Sequence, residues 1–130
     1  MLIKELNQIM QWARDNTKSS YYICWGANAA LYYFYGIEKV VYEKKFSGIF
    51  EHKIIKPNSV TMKGLSGKIK MPVSRFAGVR KEDIKATKEL SMLLYSSESG
   101  PCLIENKLQK EYYNFNHFEY DTNTLQNEYV

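Results

Sequence analysis

The stretch "SYYICWGANAALYYFYG", residues 20–36, predicts the centre of the fold. Its first part, "YYICW", is short, β-branched and aromatic, which is typical of a buried strand. The part that follows is rich in Ala and Leu and ends at Gly36, a residue type that commonly terminates helices. The stretch therefore predicts a strand, a sharp corner at Cys24, and a helix over residues 27–35.

The sequence before this stretch predicts a further helix. Apolar residues recur there every three or four positions, a spacing that favours a helix running to about Asn16. These residues are Leu2, Ile3, Leu6, Ile9, Met10 and Ala13. Because the order helix, strand, helix is typical of an open sheet with helices packed on it, we expect an α/β fold.

Beyond residue 37 the sequence pattern changes to short runs that favour strands. The expected strands are "SGIFEHKII" (47–55), "LSMLLYSS" (90–97), "PCLIEN" (101–106) and "EYYNFN" (111–116). Turn-forming residues at 57–59 and 98–100 separate them, the second as a hairpin loop. The basic segment 61–85 is interrupted by three glycines and a proline, and we expect a loop there.

Composition limits the class of protein. With 130 residues, 45% hydrophobic and 25% charged, the chain has enough apolar material for one domain, residues 1–130. The net charge of +4 is spread among interleaved basic and acidic residues, so we expect no nucleic-acid partner. The N-terminus lacks the apolar core of a secretory signal, and the longest apolar run is far below the roughly 20 residues that cross a bilayer. We therefore expect a cytoplasmic protein without a membrane partner.

The two cysteines, Cys24 and Cys102, are far apart and lack CxxC spacing, so the sequence indicates neither a disulfide framework nor a metal site. Cys24 lies where the strand turns into the helix. A nucleophile at such a corner is held out of the sheet, and the helix N-terminus favours its anion. Gly26 is expected to allow the close backbone approach of such a corner. The alternative is that Cys24 only fills the core, as cysteines often do.

A thiolate nucleophile needs a base, and the chain has two histidines. In "NFNHFEYD", Glu119 lies two residues after His117, so in an extended chain both side chains point to the same side. A glutamate beside the imidazole can fix its tautomer and stabilise the imidazolium. The other histidine, His52, lies inside a predicted strand, and we expect it to have a structural role or to support the site residues from behind.

Four stretches of the chain, taken together, resemble the homoserine O-acyltransferase family of homoserine O-succinyltransferases and O-acetyltransferases. They are "ICWGANAALYYFYGIEK", "KFSGIFEHKI", "VSR" and "HFEYDTNTLQNEY". The resemblance implies a class I glutamine amidotransferase-like, flavodoxin-like α/β sheet with flanking helices. It also implies acyl transfer from acyl-CoA to the hydroxyl of L-homoserine in methionine biosynthesis.

The resemblance assigns roles to five residues. Cys24 matches the acyl-accepting nucleophile, His117 the general base and Glu119 the acid that supports the histidine. Lys45 and Ser74 match substrate-binding positions. Acetyl-CoA or succinyl-CoA is then a substrate, no bound cofactor or metal is expected, and a homodimer is expected by analogy with the family.

The chain is shorter than family enzymes, and we expect it to lack the N-terminal part of the family fold and a C-terminal substrate-binding arginine. Three alternatives follow. The chain is an inactive truncated remnant of the family, a related serine O-acetyltransferase, or an amidotransferase-like glutamine hydrolase on the same Cys-His-Glu frame. Arg75, beside Ser74, is a weaker candidate for holding a substrate carboxylate.

Overall fold

The computed structural model describes residues 2–56, 62 and 67–116 of the chain. The helices are α1 (Leu2–Asn16), α2 (Trp25–Tyr35) and α3 (Lys81–Ala86). The strands are β1 (Ser20–Ile23), β2 (Val40–Ile54), β3 (Lys68–Gly78), β4 (Ser91–Ser96), β5 (Gly100–Asn106) and β6 (Glu111–Asn114). None of these described helices is long and apolar enough to cross a membrane.

All six described strands form one mixed sheet in the order β1-β6-β5-β4-β2-β3. β1 pairs with β6 in parallel, with Tyr22 opposite Tyr113, and the other neighbours pair antiparallel. In the chain, α2 follows β1, the first strand of this parallel pair. This part of the sheet places the strand-to-helix corner beside the end of β6.

The structure confirms the predicted helix, strand and helix at the start of the chain. α2 ends as expected at Gly36, which adopts the left-handed conformation with φ 70°. The N–H groups of Gly36 and Ile37 donate to the carbonyls of Tyr32 and Leu31 at 2.9 and 3.2 Å. These bonds satisfy carbonyls that the end of a helix leaves without an intrahelical partner.

The predicted strands are also present, with changed ends. β2 begins earlier than expected, at Val40, and β6 ends earlier, at Asn114. β4 and β5 form the expected hairpin. The turn expected at residues 57–59 lies outside the described residues.

The loop expected over residues 61–85 is wrong for the part that the structure describes, because β3 and α3 lie there. β3 pairs along most of its length with β2, and Pro72 lies opposite Ile49. β3 is the last of the described strands in the sheet, and an edge strand tolerates proline because one of its sides needs no ladder hydrogen bonds. Exposed lysines in β3 alternate with the more buried Ile69 and Met71, a period of two that the glycines and the proline obscured.

Two hydrophobic clusters pack the described sheet. The first contains residues of all three helices together with strand residues. Its buried members are Met10, Ala27, Ala30, Leu31, Ile37, Val79, Ile84, Leu90, Met92, Ile104, Tyr113 and Phe115. The second cluster contains Ile54, Met62, Met71, Leu93, Leu94, Cys102 and Leu103. Neighbouring strand residues such as Met92 and Leu93 belong to different clusters, since alternate strand residues point to opposite faces of a sheet.

Candidate active site

Cys24 lies directly between β1 and α2, as the sequence predicted. Its backbone adopts φ 50° and ψ −112°, and Lys110 is the only other non-glycine residue of the described chain with positive φ. Such a conformation costs an L-residue on the order of 1–3 kcal/mol and persists only where the surrounding structure enforces it. The corner is therefore a strained junction that holds a thiol.

Hydrogen bonds on both sides fix the backbone of Cys24. Its N–H donates to the carbonyl of Asn114 at the end of β6, at 2.7 Å, and its carbonyl accepts from the N–H of Asn28 at 3.1 Å. The half-buried thiol Sγ lies 3.5 Å from the Phe115 carbonyl, to which it can donate. Because the thiol stands at the N-cap position of α2, the partial positive charge of this helix end favours the thiolate form.

The described residues do not require the close backbone approach that the sequence predicted at Gly26. Among the described residues, a Cβ atom built at Gly26 would meet nothing within 4 Å. The described structure therefore gives no steric reason for glycine at this position. The residue with the strained backbone at this corner is Cys24 itself.

The chain that leaves β6 beside Cys24 is held by the buried side chain of Arg75, a residue of β3. Its Nη1 donates to the Phe115 carbonyl at 3.0 Å and to Asn116 Oδ1 at 2.7 Å. Its Nη2 donates to the carbonyls of Ser99 and Pro101 in the β4–β5 hairpin. Arg75 thus ties three parts of the fold together, and its two terminal nitrogens are used in doing so. The expectation that Arg75 holds a substrate carboxylate is not supported by these contacts.

Within the described residues, each of these four acceptors of the Arg75 guanidinium is neutral. A positive charge therefore lies close to Cys24, since both side chains bond the Phe115 carbonyl. A nearby cation stabilises an anion in a partly buried site. The Arg75 charge and the N-terminus of α2 thus both favour the thiolate form of Cys24.

His52 is fully buried in β2 and bonds the same segment. Its Nδ1 lies 2.9 Å from the Phe50 carbonyl, and its Nε2 lies 3.0 Å from Asn116 Nδ2. A carbonyl only accepts, so Nδ1 carries the proton and Nε2 accepts from the Asn116 amide. Burial, with a smaller contribution from the Arg75 charge, lowers the pKa of His52 below its ordinary value. The neutral ring that these two bonds require is therefore the favoured form, and His52 holds the segment that follows β6.

The second thiol has a different environment. Cys102 is fully buried in the second hydrophobic cluster, and burial raises its pKa to about 12. A thiol in this state supplies almost no thiolate at neutral pH. Of the two cysteines, Cys24 is therefore the one suited to nucleophilic chemistry.

The two residues predicted to bind substrate lie on neighbouring strands. Lys45 is exposed on β2, and its Nζ lies 5.9 Å from the centre of the Phe76 ring. Ser74, buried in β3, is two residues from Phe76 and pairs with Ser47 of β2. Since residues two apart in a strand share a face, Ser74 lies on the same face of β3 as Phe76, the residue whose ring lies near the Lys45 ammonium. Their role in binding stays a prediction.

His117 and Glu119, the predicted base and its supporting acid, lie outside the described residues. The described chain ends at Asn116, the residue directly before His117, and Asn116 is fully buried. Sequence reasoning missed Asn116 and the anchoring role of Arg75. The signal available was weak: Asn116 is a polar residue at the end of a predicted strand, and only tertiary contacts reveal its partners.

A cavity of about 650 Å³ lies between β2, the start of α3 and the β4–β5 loop. Its charged lining residues are Glu43, Lys44, Arg80, Lys81, Glu82 and Glu98. The two signs balance, so the lining does not select an anion or a cation. Within the described residues, no group of three or more His, Cys, Asp or Glu side chains is placed to hold a metal ion.

Solved structures of known proteins share the architecture. A glutamine amidotransferase from Thermotoga maritima superposes with a TM-score of 0.76 at 10% identity, covering 95% of this chain and 50% of its own. A GMP synthase component from Thermoplasma acidophilum, described as putative, gives a TM-score of 0.73 at 17% identity, covering 92% of this chain and 59% of its own. The predicted glutamine amidotransferase-like α/β fold is confirmed.

Sequence comparison extends the likeness beyond the fold. Homoserine O-acetyltransferases from Rhizobium leguminosarum bv. trifolii and Bacillus subtilis are 41% and 42% identical over 125 and 126 residues. The alignments cover 96% and 97% of this chain but 41% and 42% of the relatives, so the chain spans less than half of their length. The model of the family described as homoserine O-succinyltransferase matches residues 2–130. The chain belongs to the homoserine O-succinyltransferase family.

Proposed function

We propose that this chain carries the acyl-accepting site of a homoserine O-acyltransferase, with Cys24 as the residue that accepts the acyl group. The observation that carries the proposal is the strained backbone of Cys24, at a strand-to-helix corner of a chain in this family. A fold tolerates such strain where a side chain must be held in one position, as at a nucleophile elbow. Acetyl-CoA or succinyl-CoA is the donor, and L-homoserine is the acceptor.

In the first half-reaction the Cys24 thiolate attacks the carbonyl carbon of the acyl-CoA thioester. The new S–C bond forms at Cys24, the bond to the CoA sulfur breaks, and CoA leaves as a thiolate that takes up a proton. The first N–H groups of a helix have no intrahelical acceptor, and we assign the N–H of Trp25, the first residue of α2, to stabilising the oxyanion. Exchange of one thioester for another is nearly balanced in free energy, so forming the acyl-enzyme costs little free energy.

In the second half-reaction the homoserine hydroxyl attacks the acyl-enzyme. His117 takes the hydroxyl proton as general base, Glu119 supports the imidazolium, and Cys24 leaves as a thiolate. The product is O-acyl-homoserine. Lys45 and Ser74 position the amino acid so that its hydroxyl reaches the acyl carbon. The roles of these four residues are supported by the match of their positions to the family.

A coupled assay tests the proposal by following free CoA released from acetyl-CoA or succinyl-CoA, with L-homoserine, L-serine or water as acceptor. The chain is expected to release CoA with L-homoserine, and Cys24→Ser to release none above background. His117→Ala is expected to slow the release by a factor of about 10² to 10⁴, the usual contribution of a general base. Cys102→Ser serves as the matched control and is expected to keep the rate.

Other results would point to the alternatives. Preference for L-serine would indicate a serine O-acetyltransferase, and release of ammonia from glutamine would indicate a glutamine hydrolase. A folded chain that releases no CoA with either donor would contradict the proposed activity for this chain and favour an inactive member of the family.

A further inference from the structure

The side chain of Asn116 is held by two buried groups that act on opposite ends of its amide. Oδ1 accepts from Arg75 Nη1 at 2.7 Å, and Nδ2 donates to His52 Nε2 at 3.0 Å. The Asn116 N–H donates to Asn114 Oδ1 at 3.0 Å. These bonds fix the orientation of the amide as well as its position, since a flipped amide would oppose both partners.

The Phe115 carbonyl connects this arrangement to the thiol. It accepts from Arg75 Nη1 at 3.0 Å and lies 3.5 Å from Cys24 Sγ. The next residues in the chain after Phe115 are Asn116 and then His117. The contacts that fix Asn116 therefore also fix the backbone directly before His117. This backbone follows Phe115, whose carbonyl lies beside the Cys24 thiol.

We propose that His52 is a positioning residue which, through its hydrogen bond to Asn116, holds the backbone leading into His117 in the register that serves Cys24. The proposal rests on the function proposed above for Cys24 and His117. His52 touches neither substrate nor the reacting atoms. Its contribution is to keep the Asn116 amide from rotating or withdrawing, and a displacement of about 1 Å at a catalytic group can cost 10²-fold in rate.

The two bonds of the His52 ring allow a matched pair of variants. In His52→Gln the side-chain amide reaches the position of Nε2 and can accept from Asn116, but it loses the Nδ1 contact to Phe50. In His52→Asn the shorter amide can keep the contact to the Phe50 carbonyl, but it cannot reach Asn116. Both replace a buried ring by a smaller polar group, so a merely structural role predicts similar behaviour from the two.

The readout is the rate of Cys24 alkylation by iodoacetamide as a function of pH, measured by mass spectrometry on the intact chain. The rate reports the thiolate, which a neighbouring imidazolium stabilises. It requires no acyl transfer, so failure of the positioning role is distinguishable from failure of the proposed activity. Among the described residues, the charged groups that act on His52 itself are Arg75 and Glu98, and both variants leave them in place.

We expect His52→Asn to lower the alkylation rate at pH 6.5 about tenfold and to move the midpoint of the profile to higher pH, as His117→Ala does. His52→Gln is expected to keep the wild-type profile. Adding His52→Asn to His117→Ala is expected to cause no further change, because the first residue acts through the second. If His52→Asn does not fold, Asn116→Ser supplies the comparison, since its hydroxyl is too short to reach His52.

Three results would overturn the proposal. Equal profiles for His52→Asn and His52→Gln would show that the bond to Asn116 has no effect on the thiol. A full additional effect of His52→Asn in the His117→Ala background would show that His52 acts on Cys24 by another route. A wild-type profile that His117→Ala leaves unchanged would also contradict it, because the histidine would then have no connection to the thiol.

Discussion

The two ends of β6 carry buried polar groups that are arranged in different ways. At the first end, Glu111 accepts from Arg14 through both carboxylate oxygens, at 2.7 and 2.9 Å, and from the Tyr113 hydroxyl at 2.8 Å. The Arg14 guanidinium also lies 3.6 Å from the centre of the Phe34 ring. Here the two charges lie beside each other, and the Glu111 interaction raises the pKa of Arg14.

At the other end, the Arg75 guanidinium binds neutral oxygens in the described chain, and its Nε has no partner there although it is buried. The Ser99 hydroxyl is also buried without a partner in the described residues. Unsatisfied buried groups cost free energy, and one explanation for such a group in a native structure is a catalytic role. The two ends thus differ in how the guanidinium group is paired, with a carboxylate at the Glu111 end and with neutral oxygens at the Cys24 end. We expect the Glu111 end to stabilise the fold and the Arg75 charge at the other end to favour the Cys24 thiolate.

The largest expected effect is on stability, from breaking the Glu111 end. Glu111→Ala leaves Arg14 largely buried without its carboxylate, and the free energy of unfolding is expected to fall by about 3–5 kcal/mol. Urea unfolding followed by circular dichroism measures it. The fraction that remains folded is expected to alkylate Cys24 at the wild-type rate, because Arg14 and Glu111 lie at the opposite end of β6 from the thiol.

The control is the pair of Glu51 and Lys68 on the surface of the β2–β3 hairpin, with 3.2 Å between Oε1 and Nζ. Both side chains are at least half exposed, at 50% and 64%, so Glu51→Ala is expected to cost less than about 1 kcal/mol. A loss from Glu111→Ala as small as that from Glu51→Ala would contradict the structural role of the Glu111 end.

The next largest effect is a difference between the alkylation rates of the two thiols. In the folded chain at pH 7.5, iodoacetamide is expected to modify Cys24 at least about 100-fold faster than Cys102, whose pKa burial raises to about 12. Peptide mapping of partly alkylated protein gives the ratio. In urea the two rates are expected to become similar. Comparable rates in the folded chain would mean that the Cys24 end does not activate its thiol.

A smaller effect compares the two strained residues, one near each end of β6. Lys110 has φ 55° and Cys24 has φ 50°. Glycine adopts positive φ without the steric cost, so Cys24→Gly and Lys110→Gly are each expected to raise the free energy of unfolding by about 1 kcal/mol. Thermal unfolding measures both. Only Cys24→Gly is expected to abolish acyl transfer, and a destabilised Cys24→Gly would show that the thiol contributes packing that outweighs the strain.

The last effect is the pH dependence of stability that comes from His52. Its pKa in the folded chain is lowered, so below its ordinary value of 6.5 the unfolded chain binds a proton that the folded chain binds less readily. Stability therefore falls as pH falls through 6.5 towards the lower folded pKa, by at most about 1.4 kcal/mol per pH unit. His52→Gln is expected to flatten this part of the profile. An unchanged slope between pH 7 and pH 5 would contradict the buried neutral ring.

The sequence allowed good predictions where local pattern and tertiary structure agree. Gly36 ends α2 in the left-handed conformation, and the corner at Cys24 follows from an apolar β-branched run meeting a helix-forming run. These features depend on neighbours in the sequence. The role of Cys24 came from the residues together with the family resemblance, and it stays a proposal.

The contacts around Asn116 could not be predicted in the same way. Arg75 and His52 are 41 and 64 residues away from Asn116 in the sequence, and each looks like an ordinary polar residue of a strand or loop. β3 was missed because Pro72 and the glycines of its neighbourhood are read as breaks, whereas its place at the sheet edge removes the cost. The contacts of Asn116 and the position of β3 both depend on which distant strands pair, and the local sequence does not contain this information.

The measurement that tests the central claim most directly is the mass of the chain after brief mixing with acetyl-CoA or succinyl-CoA, followed by peptide mapping. We predict an acyl adduct on Cys24 that is absent from Cys24→Ser, present in Cys102→Ser and discharged by L-homoserine. An adduct on Cys102, or no adduct on a chain shown by circular dichroism to be folded, would contradict the claim that the strained corner at Cys24 accepts the acyl group.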